Sequence, residues 1–209
     1  MTALLPAVVL VLALPTAPVP LDAGTGAEVG GATIPVSATD RTPPFTGALT
    51  LRVDLGTSVS LVQLDPSTVD GHPATGSDGH RHAYVFTGGL AGVAVQDGRY
   101  EQPGWALTGQ AGDLTGAPAG VPAKNLGWQP ALATGSDAEG TVTAGPTVEP
   151  GLHKPDSAGL AAPGALLGAA PAGSGLGTTR VGALLRLWIP DTSPAGAFAG
   201  TLTLTLTSL

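Results

Sequence analysis

Five side chains suited to binding a metal fall close together in one polar stretch of this chain: Asp70, His72, Asp78, His80 and His82. His80 and His82, two apart, project to one side if the segment is extended. Two imidazoles with carboxylates nearby suit Zn²⁺ or Cu²⁺. No motif fixes a third ligand, so the reading preferred here is a solvated loop with incidental histidines and no cofactor. Glycoside hydrolysis needs two acids across a cleft, and Asp97, Glu101 and Asp113 flank one strand-like segment. Asp97, however, is placed to pair with Arg99 or to cap the turn they share. The chain has no Gly-x-Ser-x-Gly elbow, P-loop or dinucleotide fingerprint. The expectation is a non-catalytic protein.

The aromatic residues are more telling because there are only eight, three Trp, two Tyr and three Phe. Trp105 and Leu107 share one strand face while Ala106, Thr108 and Gln110 share the other, which predicts a core position for the indole. Around Trp188 the pattern differs. Leu185, Leu187 and Ile189 make an aliphatic face, leaving Arg186 and Trp188 opposite, where an indole stacks on a sugar or else packs under a loop. Near the end of the chain Leu202, Leu204 and Leu206 alternate with Thr201, Thr203, Thr205 and Thr207. The threonines form an outward hydroxyl row, ordinary for an exposed strand and also able to hydrogen-bond a glycan or peptide, with Thr203 and Thr205 at its centre.

Short alternating segments separated by turn residues recur from Phe45 onward. Leu49, Leu51, Val53 and Leu55 alternate with polar residues. Tyr84–Phe86 and Leu90–Val95 read as two strands about Gly88-Gly89, and Trp105–Gln110, Val181–Ile189 and Ala199–Leu209 follow. Residues 133–175 hold no convincing period, apart from a weak helical signal at Gly164–Ala169. No helix of normal length emerges. The pattern predicts an all-β fold, a single antiparallel β-sandwich with long Gly/Ala/Pro-rich loops.

Composition sets further bounds. Thirty-two Gly and 20 Pro suit a loop-rich β-sandwich and not a helical bundle. Cysteine is absent, so the core alone holds the fold. Residues 45–209 suffice for one such domain. The apolar run Ala3–Leu14 is too short to span a bilayer and reads as a secretion signal, with cleavage after Ala23 favoured over Ala17, against the alternatives of an apolar tail or a lipid-facing anchor. Residues 24–44 read as a linker or a loose first strand. Loss of residues 1–23 removes only Asp22 and takes the net charge from −7 to −6. So acidic a chain is not expected to bind nucleic acid, and it is repelled by anionic polymers.

Gly104-Trp105-Ala106-Leu107-Thr108, preceded by Val93, Val95, Asp97 and Arg99, and the segment Phe198-Ala199-Gly200-Thr201-Leu202-Thr203-Leu204-Thr205-Leu206 together resemble the WxL family of bacterial cell-surface domains. Val121-Pro122-Ala123-Lys124-Asn125-Leu126 is similar to a further segment of that family. Leu204 stands where the family has its second tryptophan, so the resemblance is to a divergent member. It implies a secreted protein held non-covalently on the cell wall, with peptidoglycan as partner and with Trp105, Leu107, Leu204 and Leu206 as motif residues. Sortase, lipobox and terminal-anchor signals are not seen, which fits non-covalent retention or release. The alternatives are a structural or interaction subunit of a surface complex, and a metal-binding extracellular module built on the histidine loop.

Overall fold

The computed structural model describes residues 32–35, 47–54, 58–64, 83–116, 119–194 and 196–209. The apolar run at the N-terminus, its cleavage positions and the histidine stretch with His80 and His82 lie outside the described residues. In chain order the strands are β1 (Ala32–Pro35), β2 (Leu49–Val53), β3 (Ser58–Gln63), β4 (Ala83–Asp97), β5 (Trp105–Ala111), β6 (Thr115–Gly116), β7 (Leu126–Leu132), β8 (Thr143–Ala144), β9 (Ala165–Ala170), β10 (Gly177–Pro190), β11 (Phe198–Ala199) and β12 (Leu202–Ser208). Single turns of 3-10 helix at Ala123–Asn125 and Gly159–Ala161 are the other regular elements described.

The fold is all-β. One sheet of eight strands runs β6-β11-β1-β3-β4-β10-β7, with β2 also paired to β4, and a second runs β12-β5-β9-β8. Every pairing is antiparallel except β1 with β11. The inner faces of both sheets meet in one apolar cluster. Val93, Val95, Phe86, Val181, Leu185 and Leu187 come from the larger sheet, and Trp105, Leu107, Leu167, Leu202 and Leu204 from the smaller. Period-2 alternation decides which side chains enter it. Along β10, Val181, Ala183, Leu185, Leu187 and Ile189 are buried while Arg180 and Leu184 are exposed.

Several local expectations are corrected. Residues 83–97 form one continuous 15-residue strand, not two strands about Gly88-Gly89. Gly88 is there for close approach: a Cβ would stand 2.5 Å from the Ser60 carbonyl oxygen and 2.7 Å from the Leu61 side chain. The irregularity falls later, where Ala91 and Gly92 oppose the single residue Gly182 between the pairs Val181↔Val93 and Ala183↔Leu90. Gly92 takes φ +71 in this bulge, a conformation that suits glycine.

The helical signal at 164–169 is also overturned. Ala165–Ala170 is strand β9, paired with β5 on one side and β8 on the other. Tertiary pairing outweighs the helix preference of an Ala/Leu run. The stretch 133–175 is accordingly not structureless. It is tied down by a bridge between Trp128 and Val148, and by Glu139 N–H to the Leu176 carbonyl at 2.7 Å and Gly175 N–H to the Glu139 carbonyl at 2.7 Å. Within 24–44, read as a linker or loose first strand, Ala32–Pro35 pair with β3 and β11. The terminal segment is split, β11 adding to the larger sheet and β12 to the smaller.

Candidate functional site

The two segments that carry the family resemblance are neighbours in space. β12 pairs with β5 in the register Leu206↔Leu107, Leu204↔Gly109 and Leu202↔Ala111, and Ser208 stands opposite Trp105. The lead-in residues join the same unit. Asp97 is fully buried at the end of β4, and Arg99 reaches back to it with Nε donating to Oδ1 at 2.8 Å and Nη2 to Oδ2 at 2.8 Å. The rest of the guanidinium donates to the Gly104 carbonyl at 2.9 Å and, through Nη1, to the Ser208 hydroxyl. Leu209 N–H donates to that Gly104 carbonyl as well, at 3.2 Å. One buried ion pair thus fastens the end of β4, the start of β5 and the end of β12.

Trp105 and Leu107 are fully buried, as the alternation predicts, and Leu204 is buried beside them while Leu206 is half-buried. The Trp105 indole is therefore part of the core and presents no surface to a ligand. Leu204 and the ring of Trp128 converge on Gly109, within 3.3 and 2.5 Å of where a Cβ would stand. A side chain at 109 would displace one of them. Trp128 as a second core indole was not anticipated. Of its neighbours Gln129 is exposed, whereas Gly127 is buried against the Val148 carbonyl and Pro150, so the sequence alternates around Trp128 on one side only.

Trp188 is no open platform. It is 7% exposed and packs with Ala83, Val85 and Leu64 in a small satellite core. His153, from the long segment between β8 and β9, lies over it with ring centroids 4.6 Å apart. This is the loop-covered arrangement and not the sugar-stacking one. Arg186, beside it on the outer face of the larger sheet, donates to Gln129 Oε1 at 3.1 Å. The structure therefore separates Trp188 and Arg186 from Thr203 and Thr205, which lie on the other sheet.

The outer face of the smaller sheet is built differently. The register sets Thr203 beside Gln110, Thr205 beside Thr108 and Thr207 beside Ala106. It continues across β9 with Leu166 beside Thr108 and Ala169 beside Ala106, and then to Thr143 on β8. No acidic or basic side chain belongs to these rows. Gln110 Nε2 donates to the Ala161 carbonyl at 3.0 Å, and the Thr108 hydroxyl donates to the Thr205 carbonyl at 3.4 Å. What remains is a pleated, neutral surface of hydroxyl groups and methyls. It can exchange hydrogen bonds with a neutral partner. At the end of this sheet, Tyr100 stands 90% exposed in the turn fastened by Arg99, and Gln102 in the same turn takes φ +43.

No protein-family model matches this chain, and the comparisons with curated proteins and with solved structures give no match either.

Proposed function

We propose that the chain is a divergent WxL-like secreted surface protein that associates non-covalently, and without catalysis, with peptidoglycan or another cell-wall component through the outer face of its smaller sheet. The observation that carries the reading is the neutral hydroxyl face of β12, β5, β9 and β8, organised around Thr203, Thr205, Thr207, Thr108 and Gln110. A protein with formal charge −7 gains nothing from bulk attraction to an anionic wall. Its contacts then have to come from hydrogen bonds to neutral groups such as glycan hydroxyls and amides. The direct pairing of β5 with β12, clamped by Asp97 and Arg99, supports the likeness to WxL domains, since segments distant in the chain form one structural unit. Among the described residues no helix is long and apolar enough to cross a membrane.

The test is sedimentation with purified peptidoglycan, comparing the wild type with the double variant Thr203→Val, Thr205→Val. Valine keeps the shape and removes the hydroxyls. Two lost hydrogen bonds at about 1 kcal/mol each predict roughly thirtyfold weaker binding. A wild-type protein that stays in the supernatant, or a double variant that sediments unchanged, removes the reading.

A further inference from the structure

The smaller sheet ends on β12, and among the described residues no strand pairs with the open side of it. The register shows which groups that side presents. Gly112 N–H donates to the Thr201 carbonyl at 3.0 Å, and Leu209 N–H to the Gly104 carbonyl at 3.2 Å. Between these, Thr203, Thr205 and Thr207 face Gln110, Thr108 and Ala106. In an antiparallel ladder alternate residues turn their backbone groups to opposite sides. The threonines are therefore engaged with β5, and Leu202, Leu204, Leu206 and Ser208 direct their N–H and C=O groups to the open side.

The other edges are guarded. β7 is bridged at Trp128 to Val148 and carries Pro130, whose missing N–H falls on the same outward side as the groups of Trp128. β2 carries Arg52, and β6 and β8 are two residues long. β12, with the sequence LTLTLTS, has neither charge nor proline nor glycine. Such an edge is a template for strand addition.

We propose that β12 pairs with β12 of a second copy, antiparallel about a two-fold axis at Thr205, so that two four-stranded sheets become one of eight. The strand is self-complementary in that register. Leu204 of one copy meets Leu206 of the other and Leu202 meets Ser208, and these are the residues whose backbone groups turn to the side that no described strand pairs with. Centring on Thr205 engages all four of them, giving about eight hydrogen bonds, two for each pair. A register two residues away leaves one of the four without a partner inside the strand. The side chains agree as well: leucines stay on the core side, threonines on the outer side, and no charge meets a like charge, which matters for two copies of an acidic chain. The interface is isologous and closed, so pairing stops at two. This inference is independent of wall binding.

The chain has no cysteine, so one introduced thiol reports the register directly. Thr205 would sit opposite its own copy as a non-hydrogen-bonded pair with Cα atoms about 4.5 Å apart, inside the range of a disulfide. Thr205→Cys at about 10 µM should cross-link under mild oxidation about 100-fold faster than Thr203→Cys, because pairing raises the local thiol concentration to about 1 mM. Thr203 faces Thr207 in the same register, and two thiols introduced at position 203 would lie about 14 Å apart along the strands. Light scattering should find the wild type as a dimer at about 100 µM, well above a micromolar Kd. Thr205→Lys, which sets two charges face to face, should be a folded monomer by the same measurement. A monomeric wild type overturns the proposal. So does a dimer in which Thr203→Cys links as fast as Thr205→Cys, or one that Thr205→Lys leaves intact.

Discussion

Arg99 holds Asp97 in a two-pronged ion pair, both N–O distances 2.8 Å, with the carboxylate fully buried and the guanidinium 13% exposed. The pair is local in sequence, yet it joins three strand ends through Gly104 and Ser208. Removing one partner leaves the other as an uncompensated buried charge. Arg99→Ala is expected to cost about 3–5 kcal/mol. Arg99→Lys keeps the charge but loses the planar fork, and should fall between the wild type and Arg99→Ala. Urea unfolding of both variants, with Asp97→Ala closing a double-mutant cycle, measures the coupling. A cost under about 1 kcal/mol for Arg99→Ala, the range of exposed pairs, would show that the clamp does not hold the strand ends together.

Trp105 is the residue that names the family resemblance, and here it fills the core. Trp105→Ala should cost about 3–5 kcal/mol, out of a usual total of about 5–15. Wall binding should fall only in step with unfolding. Thermal melting and peptidoglycan sedimentation, measured where the variant is still folded, separate the two roles. A variant that melts normally and no longer sediments would make Trp105 a ligand contact.

The sheet assignment of β5, β10 and β12 was legible in the sequence because each strand is buried on one face, so polar and apolar residues alternate. The face of Trp105 and the Asp97–Arg99 pairing could be read for the same local reasons. The fate of Trp188 was not. Alternation put it on the outer face, correctly, but burial there depends on His153, which arrives from a segment with no period of its own. The strand at Ala165–Ala170 was hidden because its residues favour helix in isolation and become a strand only by pairing with β5 and β8. That β12 and β5 adjoin is a long-range fact that periodicity does not encode.

All three tryptophans are buried or nearly so: Trp105 at 0%, Trp128 at 1% and Trp188 at 7% exposure. Native fluorescence should therefore be blue-shifted and poorly quenched by iodide, with full quenching only after unfolding. Adding peptidoglycan should leave the emission spectrum unchanged. A large change on binding would place an indole at the contact and would revive Trp188 as a sugar platform.

Salt gives a separate test of the proposed wall association. With a formal charge of −7 and a neutral threonine face, attraction to an anionic wall is not the driving force. Raising salt from low to physiological strength shortens the screening length to about 8 Å and weakens repulsion, so the sedimented fraction should hold or rise. Release by moderate salt would point instead to a local basic patch, with Arg180 and Arg186 on the larger sheet as the first residues to change.

The neighbouring glycines of β4 provide a matched pair for the fold. At Gly88 an added Cβ would stand 2.5 Å from the Ser60 carbonyl oxygen, 2.7 Å from Leu61 and 2.8 Å from Val59, so β3 would have to move. At Gly89 nothing lies within 4 Å. Neither residue has a positive φ, so backbone strain is the same for both and space alone separates them. Overpacking of this kind typically costs about 1–3 kcal/mol. In an open position, replacing Gly by Ala restricts the unfolded chain and adds about 0.4–1 kcal/mol of stability. Gly88→Ala should therefore lower the melting temperature and Gly89→Ala should hold or raise it. A turn at this point, the arrangement that two adjacent glycines suggest by themselves, would give no such contrast with β3. Equal losses at both positions would show that residues 83–97 are not one strand packed against Val59 and Leu61.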